Sequence, residues 1–403
     1  MTKQTEKSTQ SMHCRSYHPA TFMLYRMAGR IYASAYAGFR TKKIEQKPKG
    51  AHLILCNAQT LQDELLVRLA FDYPVYCVQT KAARRNPMQK LGDLLTAPIM
   101  QKLCAPLWSS ACVQKIKQVI HEGGSVCLFP TGQAPYGAAP RALSEQTVSL
   151  IRSLQVPVVL YTLHGGAGAL PRWSEGRRKG PFIGRYEKTI TPEEYALMSD
   201  RELHELISRT LCINDSGLGL IYKSKHRAEK LERVLYVCPR CREHSLLYSS
   251  GEHVSCRGCG MTANYTEAGK FVFLNCETPI STVDMWMDYQ VSWLKMHFDS
   301  MNDELYRDNG VTIFSVDRVP ADEPLFGTLI MTRQKLLLRF EDGKEGTRTV
   351  GFSLDSVAAL SPVDKVKLAL TTAHGTWEIT GAPDFCAYKY AQAFWALRGR
   401  FGK

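Results

Sequence analysis

Apolar positions along the chain change period several times, and each change marks an element. From Ala20 to Phe39 they recur every three or four residues: Leu24, Ala28, Ile31, Ala35 and Phe39 share one face, with Met27 beside them. That spacing predicts a helix. Arg26 and Arg30 project from its other side, Tyr25, Tyr32 and Tyr36 border the apolar face, and Thr41-Lys42-Lys43 follows. Such a helix suits the headgroup level of an anionic leaflet. The alternative is a helix docked on the next domain with its arginines in solvent. Residues 1–19 read as a polar leader.

Between 51 and 225, short apolar runs alternate with helix-period stretches, the pattern of an α/β domain. Strands are predicted at His52–Cys56, Val75–Gln79, Ser125–Phe129 and Val156–Leu163, and helices at Thr60–Ala70, Cys112–His121 and Leu143–Leu154. Further on, Val283–Phe298 sets Trp286, Tyr289, Trp293 and Met296 at helical spacing, most simply a packing face. Short strands follow at Val311–Val316, Phe326–Met331, Lys335–Phe340, Thr347–Phe352, Lys365–Thr371 and Thr376–Ile379. Glu341-Asp-Gly-Lys is hairpin chemistry, and an amphipathic helix over Phe385–Leu397 closes the series.

Charge narrows the partners. The 403 residues carry a net +13, and residues 1–50 hold ten Lys/Arg against two acids. An anionic partner follows, either phosphate-bearing lipid or nucleic acid. No apolar run approaches the ~20 residues needed to cross a bilayer. Thirteen cysteines behind the polar start MTKQTEKSTQSMHC fit a reducing cytosol better than a disulfide framework.

Four of those cysteines form the sharpest motif. Cys238-Pro-Arg-Cys241 and Cys256-Arg-Gly-Cys259 are two Cys-x2-Cys knuckles, with Gly258 and Gly260 relaxing the second turn. Four thiolates so spaced reach one tetrahedral zinc ion, and with every position filled the site is structural. Strand composition at Ser245–Tyr248 and Lys270–Phe273 completes a zinc ribbon. Arg240, Arg242 and Arg257 keep a nucleic-acid-binding ribbon as a lesser reading.

Two turns directly follow predicted strands: Asn57-Ala58-Gln-Thr-Leu-Gln-Asp63 and Phe129-Pro130-Thr131-Gly132-Gln133-Ala134. With Val156-Pro157-Val158-Val159 they resemble the motifs of the 1-acyl-sn-glycerol-3-phosphate acyltransferases and their glycerolipid relatives: Asn-His-x4-Asp, Phe-Pro-Glu-Gly-x-Arg and Val-Pro-hydrophobic. Pro171-Arg172-Trp173-Ser174, Arg177-Arg178-Lys179-Gly180 and Gly184-Arg185 look like a clostridial-type branch that carries a zinc ribbon. The resemblance covers roughly residues 20–275. It implies acyl transfer from a thioester of coenzyme A or acyl carrier protein to lysophosphatidic acid or a related lysophospholipid. It also implies Asn57, Thr131 and Gly132 as substrate-binding positions, and the basic residues Lys81 and Arg172 are added as candidates for the substrate's phosphate.

The ionisable groups of that chemistry are replaced. In the family the motif His takes the acceptor's hydroxyl proton and the Asp orients it; here the His position is Ala58, the Glu is Thr131 and the Arg is Ala134. Weak or no activity is expected. Asp63 is then either the remnant of the catalytic pair or the cap of a helix beginning near Glu64. His52 is expected on the other strand face, whereas His164, in Leu163-His-Gly-Gly, is the candidate substitute base, set against a solvent-exposed loop histidine. The runs at Lys81–Arg85 and Arg172–Lys179 are phosphate ligands or solvated faces.

The division expected is thus a basic leader and membrane-surface helix over 1–50, a glycerolipid acyltransferase-like α/β domain over 51–225 and a zinc ribbon over 228–275. A helix plus a small β-rich domain over 276–403 completes it, its strands and final helix resembling a pleckstrin-homology-like barrel. Lys335, Arg339 and Lys344 are candidate headgroup readers or a solvated rim. The location expected is peripheral, on the cytoplasmic face of the cell membrane. The alternative to an acyltransferase is a pseudoenzyme that binds lipid or regulates an active one.

Overall fold

A computed structural model describes residues 14, 18–41, 44, 48–80, 87–101, 108–137, 142–215, 219–297, 303–316, 325–342 and 346–398. Lys81 and Lys344 lie outside them, so their expected roles have no structural account.

Helix α1 (Pro19–Ala37) starts with proline at its first position, where no amide bond is lost, and ends at Gly38 in the left-handed region at φ 66°. It packs through Phe22, Tyr25, Gly29, Ala33 and Ala37. Docking and an exposed apolar face therefore coexist. Leu24 and Ile31 of the expected stripe stay 66% and 70% exposed, joined by Met23 and Met27. Tyr25 is buried rather than bordering, Phe39 sits in a strand, and Arg30 stays exposed while its Nε donates to Leu69 O at 3.1 Å.

Past α1 the chain alternates as expected. The strands are β1 (Phe39–Thr41), β2 (Leu53–Cys56), β3 (Val75–Thr80), β4 (Ile99–Gln101), β5 (Ser125–Leu128), β6 (Val158–His164) and β7 (Phe182–Ile190). The helices are α2 (Asp63–Ala70), α3 (Pro87–Leu95), α4 (Ser110–His121), α5 (Gln146–Leu154), α6 (Gly166–Ala169), α7 (Pro192–Ala196) and α8 (Asp200–Leu211). The sheet runs β1-β7-β6-β2-β5-β3-β4, parallel except where β7 turns against β6. Because strand side chains alternate, Ile54, Cys56, Val159 and Tyr161 face α1 and α2 while Leu53, Leu55, Val158 and Leu160 face α4, α5 and α8. Strand β6 starts after Pro157, which has no amide to pair, and runs on through His164. Capping boxes of Thr191 with Glu194 and Ser199 with Glu202 begin α7 and α8.

The cysteine region is a four-stranded antiparallel sheet in sequence order: β8 (Leu247–Ser250), β9 (His253–Cys256), β10 (Thr262–Tyr265) and β11 (Phe271–Phe273). Helix α9 (Val283–His297) follows and buries Trp286 and Trp293 as expected, whereas Met296 of the same set is exposed because the packing face runs through Gln290 and Leu294. Then come β12 (Glu304–Ser315), β13 (Leu325–Thr332), β14 (Lys335–Asp342), β15 (Gly346–Ser353), β16 (Val357–Val363), β17 (Lys367–Thr372), β18 (Gly375–Thr380) and helix α10 (Ala387–Leu397). Every pairing here is antiparallel, in the order β15-β14-β13-β12-β18-β17-β16. Strand β16 is not among the expected strands, because Ser361 and Pro362 interrupt its apolar run.

One continuous core joins the cysteine sheet, α9 and the last seven strands, and it takes in Tyr136 and Trp173 from the α/β part. Three buried arginines sit at this junction: Arg172, Arg178 and Arg233. Arg233 donates to Trp173 O at 2.9 Å, Pro383 O at 2.7 Å and Glu175 Oε1 at 2.5 Å, linking all three parts through one guanidinium.

Candidate functional site

Strand order places the three motif segments side by side, because β6, β2 and β5 are neighbours. Their carboxyl ends share one edge of the sheet, where α/β folds gather chemistry. Asn57, just past β2, clamps that edge. Its Nδ2 donates to Leu163 O at 2.9 Å and its Oδ1 accepts from Leu163 N at 2.7 Å, so both of its amide functions extend the strand pairing.

Ala58 and Thr131 meet. The Ala58 amide donates to Thr131 Oγ1 at 3.3 Å, and Thr131 is buried. Gly132 takes φ 80°, a backbone state reserved for glycine, and its amide closes the turn on Phe129 O at 2.9 Å. The backbone brings positions 58 and 131 together, but what meets there is a methyl and a hydroxyl. Neither takes a proton at neutral pH.

Asp63 opens α2 without capping it. Its carboxylate turns back on the preceding loop and accepts from Gln59 N at 2.5 Å, from Thr60 N at 2.9 Å and from Thr60 Oγ1 at 2.6 Å. The helix begins three residues later than expected because that loop is an Asp-bound turn. Burial pushes the Asp63 pKa up to about 7, against the hydrogen bonds from Thr60 and Gln59, which favour its charge.

Arg172 is 2% exposed and spends no donor on solvent. Its Nη1 bonds Ala134 O at 2.9 Å, its Nη2 bonds Gln133 Oε1 at 2.9 Å and Pro362 O at 2.7 Å, and its Nε reaches Asp364 O at 3.3 Å. It also stacks on Tyr136 at 4.3 Å. The expected phosphate ligand is thus engaged in holding the 133–134 loop to the β16–β17 turn.

The two histidines lie in different settings. His52 lies at the amino end of β2, away from the loops, with Nε2 2.7 Å from Tyr73 Oη and Nδ1 3.0 Å from Gly50 O. Burial lowers its pKa. His164 is the last residue of β6 rather than a solvated loop residue, and its side chain is 18% exposed. Its Nδ1 lies 3.6 Å from Asp215 Oδ1, and its Nε2 lies 3.0 Å from Thr162 Oγ1 and 3.8 Å from Glu187 Oε1.

Asp215 is a partner the sequence did not reveal. Its Oδ2 accepts from Gly165 N at 2.6 Å and Gln59 Nε2 at 2.9 Å, while Gln59 Oε1 accepts from Gly166 N at 2.6 Å. Burial opposes its charge, but bonds from His164, Gly165 and Gln59 outweigh that and hold its pKa below the ordinary carboxylate value. Asp215 lies about fifty residues beyond His164, outside any motif, so no local pattern could have found it.

The four cysteines converge. Their sulfurs all lie within 4.8 Å of one another, with Cys238–Cys259 and Cys241–Cys256 both at 3.7 Å. A tetrahedron of ~2.3 Å metal–sulfur bonds has edges of about 3.8 Å, whereas a disulfide needs about 2.05 Å. The cluster is therefore shaped to hold a metal ion, and zinc fits its donors and spacing. Gly260 takes φ 71° at the second knuckle, and Cys238 and Cys256 are buried.

Among the described residues no helix is long and apolar enough to cross a membrane. No family model matches the chain, and no curated protein does. Among solved structures, the 1-acyl-sn-glycerophosphate (LPA) acyltransferase PlsC from Thermotoga maritima is similar over 49% of this chain and 78% of its own, at 13% identity and a TM-score of 0.40. That likeness by itself assigns neither an activity nor a family.

Proposed function

We propose that this protein is a glycerolipid acyltransferase homologue with little or no acyl transfer, acting as a lipid-binding or regulatory pseudoenzyme at the cytoplasmic face of an anionic membrane. The meeting of Ala58 with Thr131 carries the reading. Acyl transfer needs a base to take the acceptor's hydroxyl proton as its oxygen attacks the thioester carbon and the thiolate leaves. Removing a general base typically costs about 10²–10⁴ in rate. Asp63 does not replace it, because its oxygens are engaged by the loop.

The membrane part is supported by α1, whose Met23, Leu24, Met27 and Ile31 form an exposed apolar stripe. Helix α3 packs beside α1 and exposes Leu91 and Leu94. A structural zinc ion on Cys238, Cys241, Cys256 and Cys259 belongs to the same reading, as does a pleckstrin-homology-like domain, supported by the seven-stranded antiparallel sheet and α10.

A second reading has its own observation: the carboxylate-flanked His164 is a relocated base oriented by Asp215. One assay separates the two. Purified protein is offered long-chain acyl thioesters of coenzyme A and of acyl carrier protein with a panel of lysophospholipids, beside His164→Ala and Ala58→His/Thr131→Glu proteins. No turnover except in the double variant supports the pseudoenzyme. Turnover by the unaltered protein that His164→Ala abolishes would instead establish the relocated base.

A further inference from the structure

An open cleft, enclosing with its mouth about 680 Å³, lies where the α/β part, the cysteine sheet and the start of α9 meet. Trp173 and Arg178 come from the first, Tyr265 and Lys270 from the second and Val283 from the third, while Asp215 lines the far wall.

Arg178 sets this cleft apart. Of the three buried arginines at the junction, Arg172 and Arg233 each bond protein oxygens through Nε, Nη1 and Nη2. Arg178 is only 4% exposed, yet its Nε has no partner, and its Nη2 bond to Arg227 O engages one neutral carbonyl. No carboxylate pairs with it among the described residues. Its guanidinium lies over Trp173 at 4.7 Å and Tyr265 at 5.2 Å, rings that hold its plane where the side chain lines the cleft. Burial pulls its pKa below the ordinary guanidinium value, as for a cation that lacks an anion. Lys270 adds a second, exposed positive charge at the rim. Two carboxylates also line the cleft, Asp284 and Asp215; Asp215 Oδ2 accepts from Gly165 N and Gln59 Nε2, and its Oδ1 lies 3.6 Å from His164 Nδ1 without a hydrogen-bond partner.

We infer that this interdomain cleft is a binding site for a small oxyanion-bearing ligand, a phosphate monoester or a carboxylate, held by the edge of Arg178 with Lys270 at the mouth. The site's positive groups lie outside the 57–63 loop and the 129–134 turn, and it borders the acyl-transfer residues only through Asp215. A ligand there touches three parts of the chain at once, so its binding stiffens their junction.

The test is calorimetric titration of the full metal-loaded chain with inorganic phosphate and with acetate at constant ionic strength. Saturable binding of at least one anion is expected, weakened about tenfold by Lys270→Glu. Ala167→Phe, which fills the cleft from a half-buried wall position, is expected to abolish it while leaving the anion-free melting temperature in place. Arg178→Lys, which keeps the charge but loses the fork, is expected to weaken it more than Lys270→Glu does. Preference for phosphate assigns the monoester, and preference for acetate the carboxylate. Absence of saturable binding by both anions, or binding unchanged in Ala167→Phe and Lys270→Glu, would overturn the site.

Discussion

The strand-end loops and the cysteine knuckles are built alike and have kept different things. Both are tight turns with a glycine at positive φ, Gly132 in one and Gly260 in the other, and both gather positions distant in sequence. In the loops the backbone arrangement is complete: Asn57 clamps β6, Asp63 orders the turn and Ala58 meets Thr131. Of the ionisable groups of the resembled chemistry only Asp63 remains. At the knuckles the four thiols are all present, and the chemistry itself would hold the turns. A loop fixed by backbone hydrogen bonds can lose its reactive groups without losing its shape, whereas a metal-held knuckle cannot.

The strongest way to break that comparison is Cys238→Ser. Loss of bound zinc, read by metal analysis, is expected together with destabilisation on the order of 4 kcal/mol or more, because the knuckles share one core with α9 and β12–β18. Unchanged metal content and melting temperature would show that the cysteines are not the support of that region. Next in size is Arg172→Met, which strips donors from the buried Ala134 and Pro362 carbonyls. A loss of about 2–4 kcal/mol is expected from urea unfolding. A neutral result would mean that the third-motif turn holds its shape unaided.

Asp63 sharpens the loop side through pH. Its folded pKa, about 7, stands above the ordinary 3.8, so between these values the folded state holds a proton that the unfolded chain has released. Stability from this group is therefore greatest below pH 4 and falls as pH rises towards 7, by about 1.4 kcal/mol per unit. Asp63→Asn is expected to flatten that slope in unfolding curves taken from pH 4.5 to 7.5. Parallel curves for the two proteins would place the folded carboxyl at its ordinary value.

The smallest effect on stability is expected at α1. Leu24→Gln/Ile31→Gln changes exposed positions, so unfolding should shift by less than about 0.5 kcal/mol. Flotation with anionic vesicles should nevertheless be lost. Retained flotation would move the membrane contact elsewhere on the chain.

Legibility varied with the range of the interaction. The α/β alternation, the β-rich C-terminal region and the cysteine spacing were readable because periodicity and short motifs are local. Element ends were less so: α2 starts late because Asp63 serves the loop before it, and β6 runs to His164 because β7 pairs with it to the end. The α1 helix was legible, but not which face packs. Gly29 allows close approach to Leu69 and Met88 and Ala33 is buried on the same side, leaving the more apolar stripe outside.

By itself, then, the sequence determined which chemistry is absent at 58, 131 and 134 and which ligands are present at 238, 241, 256 and 259, since residue identity decides whether a proton or a metal can be held. Only the tertiary structure decided that Arg172 is engaged by Ala134 and Pro362, that His164 faces Asp215, and that Arg178 is buried without an anion. The reason is physical: a charged side chain's role is set by the donors, acceptors and solvent around it. Those neighbours come from strands and loops tens to hundreds of residues away.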